Sequence, residues 1–233
     1  MPTIDLQVPF EERHLAKALG ARWDAQRRVW YVGAHRDLKP FQQWLPPPIQ
    51  INLRSPAYFL LIGHRDCWRC HAETAVFGFA LPGGHEALEY LDEEDADAAA
   101  GGAAAARAEP ATDDAAGAGD ARDSDEGNPT WVRQPNPEII LWATYVGDGP
   151  LARMAALTKR YRADSSGTIG RRYHMNHCEH CDAKLGDFDT IEEFDAALNP
   201  LDCPMPERLT IIPVDAHFEA DAATTPLRFA ASI

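Results

Sequence analysis

Nowhere does the chain run through the roughly 18 consecutive apolar residues that a bilayer-crossing helix needs. Its opening, Met1-Pro2-Thr3-Ile4-Asp5, has neither the basic start nor the apolar stretch of a secretory leader, so a cytoplasmic location is the default expectation. Cysteine is scarce, five residues in 233. In a reducing compartment, two C-x-x-C pairs and one odd cysteine favour metal or redox chemistry over structural disulfides. Aromatic and branched apolar residues are missing altogether from Asp92 to Asn128. Nothing in that stretch offsets the entropy of ordering it, and it is expected to be disordered.

The formal charge of −14 speaks against a phosphate-binding protein only until its distribution is read. Residues 91–128 contribute −10 of it, whereas residues 1–48 are +2. The global charge therefore describes one acidic stretch. At 233 residues, the rest is long enough for one or two domains with real cores.

Residues 1–45 read as a compact βαββα unit. IDLQVP alternates like a strand, and FEERHLAKALG after Pro9 has Glu11 and Glu12 in its first turn, Leu15 and Leu19 on one face, and Gly20 as a left-handed terminator. ARWD and RRVWYV form a strand pair around a polar turn, and Asp37 can cap a closing helix, LKPFQQWL. Residues 46–50, with Pro46-Pro47-Pro48, form a stiff linker. A second domain, residues 51–91 plus 129–216, holds the strands AYFLLIG, TAVFGFAL, EIILWATYV and LTIIPV. It also holds a helix, GPLARMAALTKRYRAD, with Lys159, Arg160 and Arg162 at its C-terminal end, and a short helix DTIEEFDAAL. Residues 217–233 read as a weakly structured tail. The fold class expected is α+β, a βαββα module followed by a mixed-sheet, zinc-ribbon-like domain with one or two helices.

Cys67-Trp-Arg-Cys70 and Cys178-Glu-His-Cys181 each have the spacing of a metal knuckle, which lets both thiolates face one tetrahedral ion. The 107 residues between them exceed the usual spacing, but loop-closure entropy grows only logarithmically with length. The expectation is a structural zinc held by Cys67, Cys70, Cys178 and Cys181. Two alternatives stand beside it: a redox C-x-x-C, which wants a helix N-terminus after the first cysteine, and a catalytic zinc in which His71, His174, His177 or His180 replaces a cysteine. Cys203 reads as a lone thiol.

The run VPFEERHLAKALGARWDAQRRVWYV places Val8, Pro9, Phe10, Glu12, Ala16, Lys17, Leu19, Gly20, Ala21, Trp23, Asp24, Trp30, Tyr31 and Val32 in one pattern. On these residues, positions 3–45 resemble a small domain of unknown function that recurs in plasmid-type DNA primases, relaxases and antirestriction proteins. The cysteine-bearing remainder resembles uncharacterised bacterial proteins with paired C-x-x-C knuckles. The resemblance implies kinship with proteins that handle DNA and transfers no activity. No D-x-D cluster beside a Gly-rich strand, as a primase needs, occurs in an ordered segment.

Two basic patches bear on nucleic acid. In the module, Arg13, Lys17, Arg22, Arg27, Arg28 and Lys39 suit phosphate contacts, with Tyr31 or a tryptophan stacking on an unpaired base. The competing account makes Trp23, Trp30 and Trp44 the core of a very small fold, its charges merely solvated. The second patch is Lys159, Arg160 and Arg162 with Arg171 and Arg172, which either clamps a strand beside the knuckle or matches a helix dipole. The functional expectation is a non-enzymatic zinc-binding protein that engages single-stranded DNA or RNA, or a DNA-processing protein. The alternatives are a ββα-metal nuclease using His174, Asn176 and His177, and a pure interaction module baited by the acidic segment. No small-molecule substrate is indicated.

Overall fold

The computed structural model describes residues 2–46, 48–90, 129–194, 196–200 and 209–228. The acidic stretch 92–128 and Cys203 lie outside them. The fold is α+β, a small three-stranded module followed by a larger antiparallel β domain.

In the module, β1 (Thr3–Leu6), β3 (Val29–Gly33) and β2 (Arg22–Asp24) pair antiparallel in that spatial order. Helix α1 (Arg13–Ala18) follows a 3₁₀ turn at Phe10–Glu12. It stops in a Schellman arrangement: Gly20 lies at φ +99°, its N–H donates to Lys17 O, and the Ala21 N–H donates to Ala16 O. The inward residue is Ala16, at 0% exposure, rather than Leu15 or Leu19, which are 59% and 45% exposed. An alanine lets the short helix sit close on Leu6, Val32, Phe41 and Trp44. The closing helix is a 3₁₀ segment, Lys39–Trp44, with the Lys39 N–H bonded to Asp37 Oδ1. Of the three tryptophans expected in this core only Trp44 is fully buried, its indole N–H donating to Glu12, while Trp30 is half-buried and Trp23 is 51% exposed.

The larger sheet has the order β13-β5-β6-β9-β14-β4-β7-β8, and every pairing between its described strands is antiparallel. Its strands are β4 (Leu53–Ser55), β5 (Tyr58–Asp66), β6 (Glu73–Leu81), β7 (Glu86–Tyr90), β8 (Pro129–Arg133), β9 (Glu138–Val146), β13 (Thr210–Val214) and β14 (Phe218–Pro226). The two-residue period of β6 sends Val76 and Ala80 into one apolar cluster and Phe77, Phe79 and Leu81 into another, so both faces of the sheet are covered. In β9 the alternation breaks at Trp142, φ +48°, where the pairing with β14 shifts register.

Strand β14 corrects the expectation of a weakly structured tail from residue 217. Phe218, Ala220 and Ala222 are buried between β9 and β4, and small side chains suit that crowded position. Their low strand propensity is overridden by burial. Helix α2 is also shorter than expected, Asp148–Leu157. Thr158 turns extended and its Oγ1 accepts the Arg160 N–H, so Lys159 and Arg160 lie past the helix. The expected helix after Asp189 is reduced to one turn, Phe188–Glu192.

A second small sheet, β10 (Arg162–Ser165), β11 (Arg172–His177) and β12 (Lys184–Leu185), packs against the larger one through β11. Asn176 joins them: its side-chain amide accepts from the Phe77 N–H and donates to Phe77 O, both at 2.8 Å. This replaces a missing strand partner where the β6–β9 pairing covers only Ala80 and Leu81. Among the described residues no helix is long and apolar enough to cross a membrane.

Candidate metal centre and cationic cleft

Each C-x-x-C sits in the turn of a β-hairpin, the first between β5 and β6, the second between β11 and β12. The two turns are built alike. Cys67 N–H donates to Ala72 O and Cys178 N–H to Ala183 O, at 3.0 and 2.9 Å. Arg69 N–H and His180 N–H each point at the first sulfur of their own knuckle, both at 3.4 Å. His71 and Asp182, the residues after the second cysteines, both lie near φ +58°. The sequence carries this repeat as C-x-x-C-x-A, in CWRCHA and CEHCDA.

The ligand atoms of Cys67, Cys70, Cys178 and Cys181 all lie within 4.8 Å of one another. The closest cross-knuckle pairs are Cys67–Cys181 at 3.7 Å and Cys70–Cys178 at 3.6 Å. A tetrahedron with metal–sulfur bonds of about 2.3 Å has edges of about 3.8 Å, so the donor set fits a single ion such as zinc. Cys67 and Cys178 are buried and belong to the apolar cluster of Leu61, Val76 and Leu185, which makes the centre continuous with the core. Burial opposes ionisation of Cys178, yet N–H groups of Cys181 and His180 and the facing thiols bring it down to about 6. Cys181 accepts the Ala183 N–H, which favours its thiolate, but burial and the neighbouring sulfurs push it up to about 12. Four sulfurs so close share one negative charge readily and four only around a cation, so metal binding and thiol deprotonation are linked.

Of the four candidate histidines, His71 is exposed and no member of the four-sulfur group, and the other three are occupied elsewhere. His174 Nδ1 lies 3.1 Å from Ala143 O, His177 is enclosed between Arg160 O and Asp164, and His180 Nε2 is 3.0 Å from Glu73 O. With Asn176 committed to Phe77, the three residues of the nuclease alternative do not converge on an open position. Nor does a helix follow Cys70, as a redox pair would want.

Of the eleven basic residues in the two patches considered for nucleic acid, six line one cleft of about 640 Å³, Arg27, Arg28, Lys159, Arg160, Arg162 and Arg172, whereas Lys17, Arg22 and Lys39 line neither this cleft nor its neighbour. Arg171 lines an adjoining cleft, which Arg28 and Arg172 share. The module brings Arg27 and Arg28 through the β2–β3 turn, where Asp24 Oδ1 accepts the N–H groups of Gln26 and Arg27 and Arg28 is held at φ +50°. Three carboxylates answer the six cations: Asp164 and Asp182 in the cleft lining, and Asp5, which pairs with Arg27. Asp182 binds Arg162 at 2.7 Å, Arg160 at 3.0 Å and Arg28 at 3.5 Å, tying the module to the second knuckle. Burial alone would raise Asp164, but His177, Lys184 and the Ser165 N–H outweigh it and hold it well below the usual carboxylate range. Arg172 has one guanidinium nitrogen buried without a partner, and its burial lowers its basicity against the pull of Asp164 and Asp5.

Sequence reading missed Asp182 as the centre of this arrangement. Its signal was the position after the second cysteine, where the knuckle needs positive φ and Asp tolerates it. It also placed Lys159, Arg160 and Arg162 on a helix end, whereas the chain turns at Thr158 and aims Arg160 and Arg162 at Asp182.

Residues 3–46 match the model of a domain of unknown function, DUF5710. The same region is 59% identical over 39 residues to one DNA primase TraC of Escherichia coli, and 44% identical over 45 residues to another. These stretches are 17% and 19% of this chain but only 4% and 3% of the primases. No solved structure matches the chain.

Proposed function

We propose that the chain is a non-enzymatic, zinc-clipped nucleic-acid-binding protein of bacterial or plasmid DNA metabolism, acting in the cytoplasm. The observation that carries this reading is the cationic cleft, in which a module similar to part of a primase and the second cysteine knuckle contribute basic side chains to one surface. A protein of net charge −14 gains nothing in solubility from gathering six cations around three carboxylates. Such a focus of positive potential suits a phosphate backbone. Zinc is the expected ion because four thiolates in a closed tetrahedron with no open position suit structural zinc.

The test is fluorescence anisotropy of labelled oligonucleotides between about 50 and 200 mM salt, with metal analysis of the purified protein. About four phosphate contacts to a single strand give a slope of about −3 in log K against log salt. Lys159→Gln with Arg171→Gln, two exposed residues without ion pairs among the described residues, should make that slope shallower. Absence of binding at the lowest salt, or a slope these substitutions do not change, overturns the nucleic-acid reading. One zinc per chain, lost in Cys178→Ser, is the expected metal content, and another ion would overturn that assignment.

A further inference from the structure

The cleft that adjoins the cationic one, about 720 Å³, runs between the module and the β10–β11 turn. Its module wall is aromatic. Phe10 is 71% and Trp23 51% exposed, although a fold of some 45 residues has few large rings to spare from its core. Trp23 leans on Trp30 with ring centroids 5.7 Å apart, and the Arg13 guanidinium covers one face of Phe10 at 3.7 Å. The facing wall is small and polar: Ser166, Gly167 and Gly170, with open space around both glycines. Of the two carboxylates here, Glu11 is exposed and Asp164 is already met by His177 and Lys184. Arg172, with its unpartnered buried nitrogen, lines both clefts.

From this arrangement we infer that the protein takes single-stranded rather than duplex nucleic acid, an unpaired base stacking on Trp23 while the adjacent phosphates lie in the cationic cleft with Arg172 between them. The inference rests on the nucleic-acid reading above and adds the ligand's form and the residue that selects it. A ring face is useful only to a base free of its stack, and stacking tolerates any base because all have π-faces. Base pairs in a duplex expose edges, not faces. No helix or ribbon here projects into such a groove: the cleft walls are a 3₁₀ turn, strand ends and a glycine-bearing turn.

The experiment compares the full chain with Trp23→Ala and Trp23→Phe on a labelled thymidine 20-mer and on a duplex of equal length. Wild type is expected to bind the single strand more tightly. Trp23→Ala should lose about tenfold in single-strand affinity with an unchanged salt slope and duplex affinity, and Trp23→Phe should recover part of the loss. Because Trp23 lies outside the apolar cluster of the module and only leans on Trp30, both variants should still melt cooperatively as folded proteins, which separates lost stacking from misfolding. Equal affinity for both forms, or unaltered single-strand affinity in Trp23→Ala, overturns the stacking inference while salt-dependent binding persists. Failure of wild type to bind either form at low salt overturns the nucleic-acid reading itself.

Discussion

Asp187 is 4% exposed and spends one carboxyl oxygen on the N–H of Trp142, 2.6 Å away, at the bulge of β9. Burial raises it to about 7 against that hydrogen bond, with Glu192 adding to the rise. In the unfolded chain it ionises near the usual carboxylate value, so folding takes up a proton between about pH 4 and 7. Its contribution to stability is thus complete at low pH and declines as pH rises to about 7. Asp187→Asn keeps an acceptor for Trp142 and removes the ionisation. The variant's unfolding free energy relative to wild type should climb between pH 4 and 7, by about 3 kcal/mol, in denaturant titrations. A pH-independent difference would refute it. Asp182→Asn makes a different separation. Asn also tolerates the left-handed knuckle position, so metal content should hold, while Arg28, Arg160 and Arg162 lose their counter-charge. Oligonucleotide affinity should rise severalfold with a steeper salt slope; weaker binding would mean that Asp182 positions these arginines rather than competing for them. These half-exposed ion pairs should cost no more than about 1 kcal/mol each in stability.

The two knuckle hairpins have unequal support. β5 and β6 pair over eight positions and are packed on both faces, whereas β11 and β12 pair over two. A two-stranded ribbon that short does not hold itself in water. Ties such as the Trp68 indole N–H to Lys184 O and the Glu179 N–H to Thr74 connect it to the first knuckle, but they depend on the knuckles staying joined. Metal removal by a chelator should therefore strip hydrogen-exchange protection from residues 178–185 while the β5–β6 amides keep most of theirs. Simultaneous loss in both hairpins would show the ion holding the whole domain, which is energetically possible since structural zinc supplies about 10–16 kcal/mol in small peptides. At this scale, strands with continuous apolar runs such as AYFLLIG and TAVFGFAL were legible because burial on both faces writes itself into composition. β14 was not, because Ala220 and Ala222 earn their place by being small between two neighbours, which local pattern does not reveal.

Over the whole molecule, an acidic chain carries a basic cleft. Residues 91–128 hold −10 of the −14, a charge of the sign that would compete with polyanions for the same cations. Deleting residues 92–128 should tighten oligonucleotide binding, most strongly at low salt; unchanged affinity across salt would show the segment to be electrostatically remote. The sequence by itself determined the four cysteines of the candidate metal centre, the βαββα order of the module and the identity of the basic residues. Short-range rules govern each of these: knuckle spacing, helix termination and turn chemistry act within a few residues. Tertiary structure alone decided that the knuckles meet, that Asp182 gathers arginines from both halves of the chain, and that Trp23 faces a cleft instead of a core. Those outcomes depend on which distant surfaces bury one another, a competition among long-range contacts that no stretch of residues settles alone.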